Sequence, residues 1–373
     1  MITFSKDLLS LNPAYNDSII EFSSNFLFAL TRARIVIGGH SFNAIAFNNR
    51  FTFNFKEIVK VLINSNRHDD VITPNLSGGN YIYDDSNVVK SYNVVITIYN
   101  QVGQNESINK TYNFIRGVEQ LPNYKKKITI NPSTRVLLPT DNYVDYNVKY
   151  WEGYPFDFAV QGLTLFQPYF FKNITTNQQT TSATTSNTHV KRIFISDGAN
   201  STTESDILVA NSTLNKLEFY DNNTFKANIY LKKEESRCGV YLKWLNSKGS
   251  YSYWLFDNGY KGSINTKIMD EVGGKYDNLQ SLTSTSYITG KNATQTLALS
   301  TSFEGIYRDY LTDLMSSPAV WMYQYDEPFH QQEVGDFLGV VVSAGNFQNI
   351  DKKLNKGKLN LTITLPTVNT ITN

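Results

Sequence analysis

The side chains that could do chemistry are scattered carboxylates, four histidines and one cysteine. Cleaving a glycosidic bond needs two carboxyl groups facing each other across a sugar at about 5–9.5 Å. The available pairs are Asp69-Asp70, Asp84-Asp85, Asp326-Glu327 and, at longer spacing, Glu152 with Asp157. Neighbouring residues of a strand point to opposite faces, so an adjacent pair does not make such a site by itself. His40, His68, His189 and His330 lie far apart; His330 with Glu333, Asp336 and Asp326-Glu327 is the densest group, and its spacing matches no metal-ligand pattern. Asp257-Asn258-Gly259 and Asp84-Asp85-Ser86-Asn87 offer calcium-type oxygens but not a full calcium loop, and read as ordinary turns. Cys238 has Arg237 beside it, which could lower a thiol pKa, yet no histidine is near; it reads as a small buried hydrophobe. A dinucleotide glycine fingerprint, a phosphate loop, His-Glu-x-x-His and Gly-x-Ser-x-Gly are all missing from the sequence. No residue therefore takes a catalytic, cofactor-binding or metal-binding role, and no cofactor is expected.

The chain that must position these groups has 373 residues, with 34 basic against 33 acidic side chains. A net charge of +1 gives no pull towards nucleic acid or an anionic membrane. One cysteine allows no internal disulfide, which fits a reducing compartment or one indifferent to redox state. The opening MITFSKDLLSLNPAYNDSIIEF lacks a secretory pattern, and no window of about 18 apolar residues could span a membrane. Asn-x-Ser/Thr triplets at Asn105, Asn109, Asn173, Asn200, Asn211, Asn292 and Asn360 are what an Asn- and Thr-rich chain generates by chance. Aromatic residues at 14% and 41 Asn favour strands and polar turns over helices. The expected class is all-β, with β-sandwich type domains and a few short peripheral helices.

Arg34–Ile37, ending at Gly38-Gly39, and Val94–Tyr99 read as strands. Between them Asn54 and Glu57 have capping-box spacing, and Ile58, Val61 and Leu62 predict the buried face of a short helix. Pro122, Lys125-Lys126-Lys127, Pro132 and Pro139 mark a connection, so an N-terminal domain over 1–130 and a C-terminal domain over 131–373 are expected. Tyr150–Phe158 is a dense aromatic stretch, either a packed strand entry or a sugar-stacking platform. The polar run 173–189 carries one large apolar residue, Ile174, and predicts a long exposed loop.

The strongest local signal is a hairpin over Cys238–Phe256, turning at Asn246–Gly249. Val240, Leu242 and Trp244 share one strand face, Tyr251, Tyr253 and Leu255 share one face of the return strand, and Tyr241, Leu245, Trp254 and Phe256 occupy the remaining positions. Large side chains on both faces imply cover on both sides, from another layer of this chain or from a neighbouring subunit. Further on, Ile306, Tyr310, Leu311 and Leu314 predict a helix that stops at Ser316-Ser317-Pro318. Leu338–Val342 and Leu359–Leu365 follow as strands, the latter with Leu359, Leu361 and Ile363 on one face.

The hairpin, with Gly239–Asn246 reading Gly-Val-Tyr-Leu-Lys-Trp-Leu-Asn and Tyr251–Phe256 reading Tyr-Ser-Tyr-Trp-Leu-Phe, resembles one in tail structural proteins of phages infecting Bacteroidetes, including the crAss-like group. Asn12-Pro13-Ala14-Tyr15-Asn16, Asp313–Ser317 with Ala319-Val320, and Thr364-Leu365-Pro366 resemble further pieces in similar order. The turn departs from that pattern in having Lys248-Gly249-Ser250 where Gly-Gly is typical, and the 173–189 insertion has no counterpart there. The resemblance implies a non-enzymatic virion component of the tail, of ring, hub or distal-tail kind, assembled in the host bacterial cytoplasm. Its partners would be further copies of itself in a closed ring and other phage tail proteins. Tyr241, Trp244, Tyr251, Tyr253, Trp254, Phe256, Leu359, Leu361 and Ile363 are the candidate hairpin or interface residues. Two other readings compete: a carbohydrate-binding adhesin or receptor-binding protein stacking sugar on Trp151, Tyr154, Trp244 and Trp254, and a polysaccharide-degrading enzyme using Glu152, Asp157, Asp326 and Glu327.

Overall fold

The computed structural model describes the whole chain except residues 66–69, 75–79, 120–133, 140–143, 199–213, 236, 274–285, 325–335, 352–354, 367, 369 and 372–373. His68, Asp69, Pro122, Lys125–Lys127, Pro132, Asn200, Asn211, Asp326, Glu327, His330 and Glu333 lie outside the described residues, as does the side chain of Asp336.

The Arg34–Ile37 and Val94–Tyr99 signals mature into antiparallel strands Leu30–Ile37 and Val89–Asn100, paired with Ile35 opposite Ile96. With Asn12–Pro13, Asn105–Ile115 and His40–Ile45 they form a five-stranded sheet. It packs on a three-stranded sheet of Ile2–Lys6, Ile19–Ser24 and Phe51–Asn54 through Phe22, Ile35, Phe51, Ile96 and Phe114. The result is an N-terminal β-sandwich. One helix, Lys56–Ile63, closes it; its N-cap is Phe55, which makes no side-chain cap bond, and the Asn54 Oδ1 one residue earlier accepts the Lys56 N–H at 3.1 Å. Its buried face is Val59 and Ile63, continued by Phe55, whereas Val61 is 61% exposed. Of the expected face, Ile58 and Leu62 pack half-buried beside this stripe and Val61 turns to solvent.

The rest of the chain shares one apolar core running from Val136 to Leu365. A four-stranded sheet of Arg135–Val136, Pro155–Gln161, Val190–Asp197 and Ile82–Asp85 forms its middle layer. Phe158 meets Phe171 of a five-stranded sheet on one side, with ring centroids 5.6 Å apart, and Asp157 meets Tyr253 of the hairpin on the other. All seven residues of Pro155–Gln161 are buried, which is why the strand reads as a nearly continuous apolar run. The five-stranded sheet comprises Asp145–Trp151, Thr224–Glu234, Leu214–Asp221, Tyr169–Asn173 and Gln178–Gln179. A seven-stranded sheet runs from Tyr251–Phe256 through Val240–Leu245, Val320–Gln324, Asp336–Asp351, Lys356–Thr364 and Lys291–Glu304 to Tyr260–Ile268 at its far edge.

Three expectations are corrected. The polar run 173–189 is not simply an exposed loop: it folds back along the five-stranded sheet, with Thr180 and Phe171 exchanging hydrogen bonds and Ala183 pairing with Tyr169. Its Asn and Thr side chains satisfy backbone and neighbouring amides, so Asn173, Thr180 and Thr185 are buried without an apolar stripe. Cys238 is exposed rather than buried. The predicted helix is three short turns, Gly305–Tyr307, Arg308–Thr312 and Asp313–Ser316, burying Tyr307, Tyr310, Leu311 and Leu314 while Ile306 is exposed.

Candidate functional site

The hairpin forms as its sequence predicts, Val240–Leu245 against Tyr251–Phe256, with Tyr241 opposite Leu255 and Leu242 opposite Trp254. That register puts Tyr241 on the face of Tyr253 and Trp254 on the face of Leu242. The Tyr241 hydroxyl donates to the Pro155 carbonyl at 2.8 Å, so its face lies on the middle sheet. Tyr310 covers the opposite face, its ring 5.6 Å from Trp244, and Tyr307 lies 5.4 Å from Trp254. Both covers belong to this chain. Tyr241, Trp244, Tyr251, Tyr253, Trp254 and Phe256 are closed in the core, as are Leu359, Leu361 and Ile363, so none offers a side chain to a neighbour. Trp151 and Tyr154 are buried as well, which removes all four rings named for sugar stacking from solvent.

Among the described residues Glu152 and Asp157, paired in the sequence reading, do not converge. Glu152 is 60% exposed and faces Lys233 at 3.5 Å, while Asp157 is fully buried. Asp84 lies between Lys191 and the amide of Asn187, and Asp257 faces Arg237, so both turns spend their oxygens on protein groups. Among the described residues no group of three or more His, Cys, Asp or Glu is placed to hold a metal ion.

Sequence reasoning missed where Asp157 goes. Its two oxygens accept Arg192 Nε at 2.8 Å and Nη2 at 2.7 Å, a bidentate pair. Arg192 Nη1 donates to Asp70 at 2.6 Å, and the second oxygen of Asp70 accepts Lys243 Nζ at 2.9 Å. Two acids and two bases thus balance in a buried cluster, capped by the Tyr253 hydroxyl on Asp157. Arg192 lies 4.4 Å over the Tyr251 ring, and Lys243 lies 4.0 Å over Phe337. Burial alone would raise the Asp70 carboxyl, but Arg192 and Lys243 outweigh it and hold it at about 2. Burial pushes Lys243 down from its ordinary value, with Asp70 opposing. With its members closed to solvent, the cluster ties Asp70 of the N-terminal half to the C-terminal core. Only a tertiary contact over 122 residues creates it, so no local spacing signals it.

A second junction fixes the same two bodies. Lys248 reaches Glu119 at 2.5 Å, and Val118 N–H donates to Ser247 O at 2.7 Å. Here Gly249 has φ +86°, and a Cβ on it would stand 2.5 Å from the Arg116 carbonyl oxygen. Only glycine allows the hairpin turn to lie this close.

What remains open to a partner is the far edge. Every residue of Tyr260–Ile268 is exposed, and no strand pairs with its outer side among the described residues. At about 3.4 Å per residue this edge is roughly 30 Å long. Tyr260, Ile264 and Ile268 share one face, and beyond them Met269, Val272 and Tyr287 continue the apolar surface, with Val272 directly opposite Tyr287. This arm is the candidate functional surface. Long exposed edges with apolar side chains are templates for pairing with another chain.

No protein-family model matches the chain, and no curated protein does. Among solved structures, fibronectin(III)-like modules of Clostridium thermocellum CbhA align over 63% of this chain and 95% of theirs at 9% identity and a TM-score of 0.21. A bacterial ice-binding adhesin aligns over 79% and 91% at 10% identity and 0.21, and Bacteroides ovatus SGBP-B, solved with a mixed-linkage heptasaccharide, over 98% and 99% at 8% and 0.18. At these TM-scores the likeness carries no argument about this chain, whose all-β class rests on its own strands.

Proposed function

We propose that this chain is a non-enzymatic structural protein that works by assembling with further copies of itself, as a ring or hub component of a phage tail would, alongside other tail proteins. The observation that carries the reading is the contrast between the closed interior and the open arm. The large aromatic side chains of the hairpin are packed inside the chain, whereas the outer side of Tyr260–Ile268 pairs with no strand among the described residues and leaves Ile264 and Ile268 exposed. The resemblance of the hairpin and of the pieces around it supplies the tail context. Light scattering on the purified chain across concentration, with negative-stain imaging, tests it. A discrete multiple of 42.4 kDa with annular particles is expected; a monomer at every concentration, even with the other tail proteins added, overturns it.

A second reading, a carbohydrate-binding adhesin, is favoured by one observation. On the outer face of the five-stranded sheet, Phe170 stacks on Tyr220 at 5.0 Å and Phe225 is 41% exposed beside them. Phe170 and Tyr220 are half-buried, which leaves the more exposed Phe225 as the ring available to a sugar. Glycan-array binding lost in Phe225→Ala would establish this reading.

A further inference from the structure

The N-terminal sandwich carries an apolar surface of its own, at the end of its five-stranded sheet remote from the C-terminal core. Leu27, Phe28, Ile45, Phe47 and Val102 are exposed there, Leu27 at 93%, Ile45 at 85% and Phe47 at 79%. They lie on or beside three connections, 25–29, 46–50 and 101–104. Gln101 N–H to Ala29 O at 3.0 Å, Ala46 N–H to Thr31 O at 3.4 Å and Leu30 N–H to Asn49 Oδ1 at 3.3 Å hold these side by side. The opposite end of the sheet, at Val89 and Ile115, packs on Leu137, Ala159 and Val190. Solitary exposed apolar residues are ordinary, but five on adjoining connections form a patch.

The charge at this end has one sign. No residue from 23 to 54 or from 86 to 105 is acidic, and Arg32, Arg34 and Arg50 are all exposed. Arg32 lies opposite Ile45 in the ladder and Arg50 opposite Phe47, so each cation stands beside an apolar side chain. Arg32 and Arg34 flank the buried Ala33 and therefore share the outer face of the sheet. Their contacts are with neutral groups: Arg32 lies 4.6 Å over the Tyr99 ring, and Arg34 Nε donates to Ser41 Oγ at 2.8 Å. The acids that bound the two runs point elsewhere. Glu106 is opposite the buried Ile98 on the inner face, where it accepts the Ser24 hydroxyl at 2.8 Å and faces the N-terminal ammonium at 3.0 Å, and Glu21 is on the other sheet opposite Lys6.

We infer that this end of the sandwich docks on an anionic lipid surface, its apolar side chains entering the headgroup boundary and its arginines pairing with the headgroups. The degree of exposure selects lipid over a folded partner. A protein contact needs two surfaces of matched shape, and side chains as exposed as Leu27, Ile45 and Phe47 have no flanking walls to match. A bilayer boundary is fluid, so separate tips enter it without a preformed fit, and binding grows with the apolar area buried and with nearby cationic charge. Arginine adds a planar fork that holds phosphate oxygens two at a time. The net charge of +1 averages over the whole chain and hides this local excess. Lipid docking of this kind requires no self-assembly.

The test is flotation of the full chain with vesicles of phosphatidylcholine alone and of phosphatidylcholine mixed with phosphatidylglycerol. The unaltered chain should float with the mixed vesicles at low salt, come off them at high salt, and stay behind with phosphatidylcholine alone. Ile45→Ser/Phe47→Ser and Arg32→Glu/Arg50→Glu should each weaken that binding on the order of tenfold or more. Val61→Ser, on the helix beside Gly38 at the opposite end of the sheet, should float as the unaltered chain does. All these positions are on the surface, so circular dichroism should show unchanged folding. An unaltered chain that stays behind with every vesicle, or floats equally with both kinds, overturns the inference. So do tip variants that float like the unaltered chain. Tip variants that change the particle mass in light scattering while no chain floats overturn it as well, and make this end a contact between copies.

Discussion

Two hairpins lie three residues apart in the chain and meet opposite fates. In Val240–Leu245 and Tyr251–Phe256 every residue is buried, while in Tyr260–Ile268 every residue is exposed. Both form regular antiparallel ladders, so backbone pairing does not separate them. The density of large side chains does. The inner hairpin has them at almost every position and must be covered on both faces; the outer strand has them only at every fourth, Tyr260, Ile264 and Ile268. A strand of the second kind gains its partner on one side and leaves its remaining edge for another chain.

The comparison can be broken at its stable end first. Trp254→Ala removes a ring packed on Trp151, Tyr307 and Tyr310 and should cost about 3–5 kcal/mol, read as a lower midpoint in urea. A loss below about 1 kcal/mol would show that the hairpin is not covered on both faces. Arg192→Met leaves Asp157 and Asp70 without their shared cation and should cost about 3–5 kcal/mol by the same measurement. Gly249→Ala forces a Cβ against the Arg116 backbone at a positive φ and should lower stability by about 2 kcal/mol or more; an unchanged melting temperature would mean that the junction can open.

Acid should act on the same interior. The Asp70 carboxyl sits at about 2 in the folded chain against an ordinary 3.8, so the folded state holds fewer protons between those values. Its contribution, on the order of 2 kcal/mol, is fully present above about pH 4 and is lost as pH falls towards 2. Asp70→Asn should be less stable at pH 7 and should show a shallower decline below pH 4; equal acid profiles would remove Asp70 from the account. The smallest effect belongs to the arm. Ile264→Ser should change the unfolding free energy by no more than about 0.5 kcal/mol, and a larger loss would mean that the arm is part of the core.

The hairpin was legible because alternation, a turn signal and aromatic density all act within nineteen residues, Cys238–Phe256. The all-β class followed from composition for the same local reason. The Asp70–Arg192–Lys243 contacts were not legible, since their members come from distant elements and each alone reads as a surface charge. Asp157 sat within reach of the sequence reading but was paired with Glu152, because five residues in a row invite a local partner while its real one lies on the adjacent strand. The polar 173–189 run misled in the other direction. Low apolar content predicts exposure only where no sheet edge is at hand to satisfy the amides.

The short strand Ile82–Asp85 leaves the N-terminal half, pairs with Val190–Ile193 in the C-terminal core, and the chain then returns to complete the N-terminal sandwich at Val89. The two bodies are therefore laced rather than strung. Tension applied between them must first slide the shared strand out of its ladder and drag Asp70 from between two cations. Separated from the N-terminal half, the C-terminal core would lose an edge strand of its middle sheet and the carboxylate that holds Lys243 and Arg192.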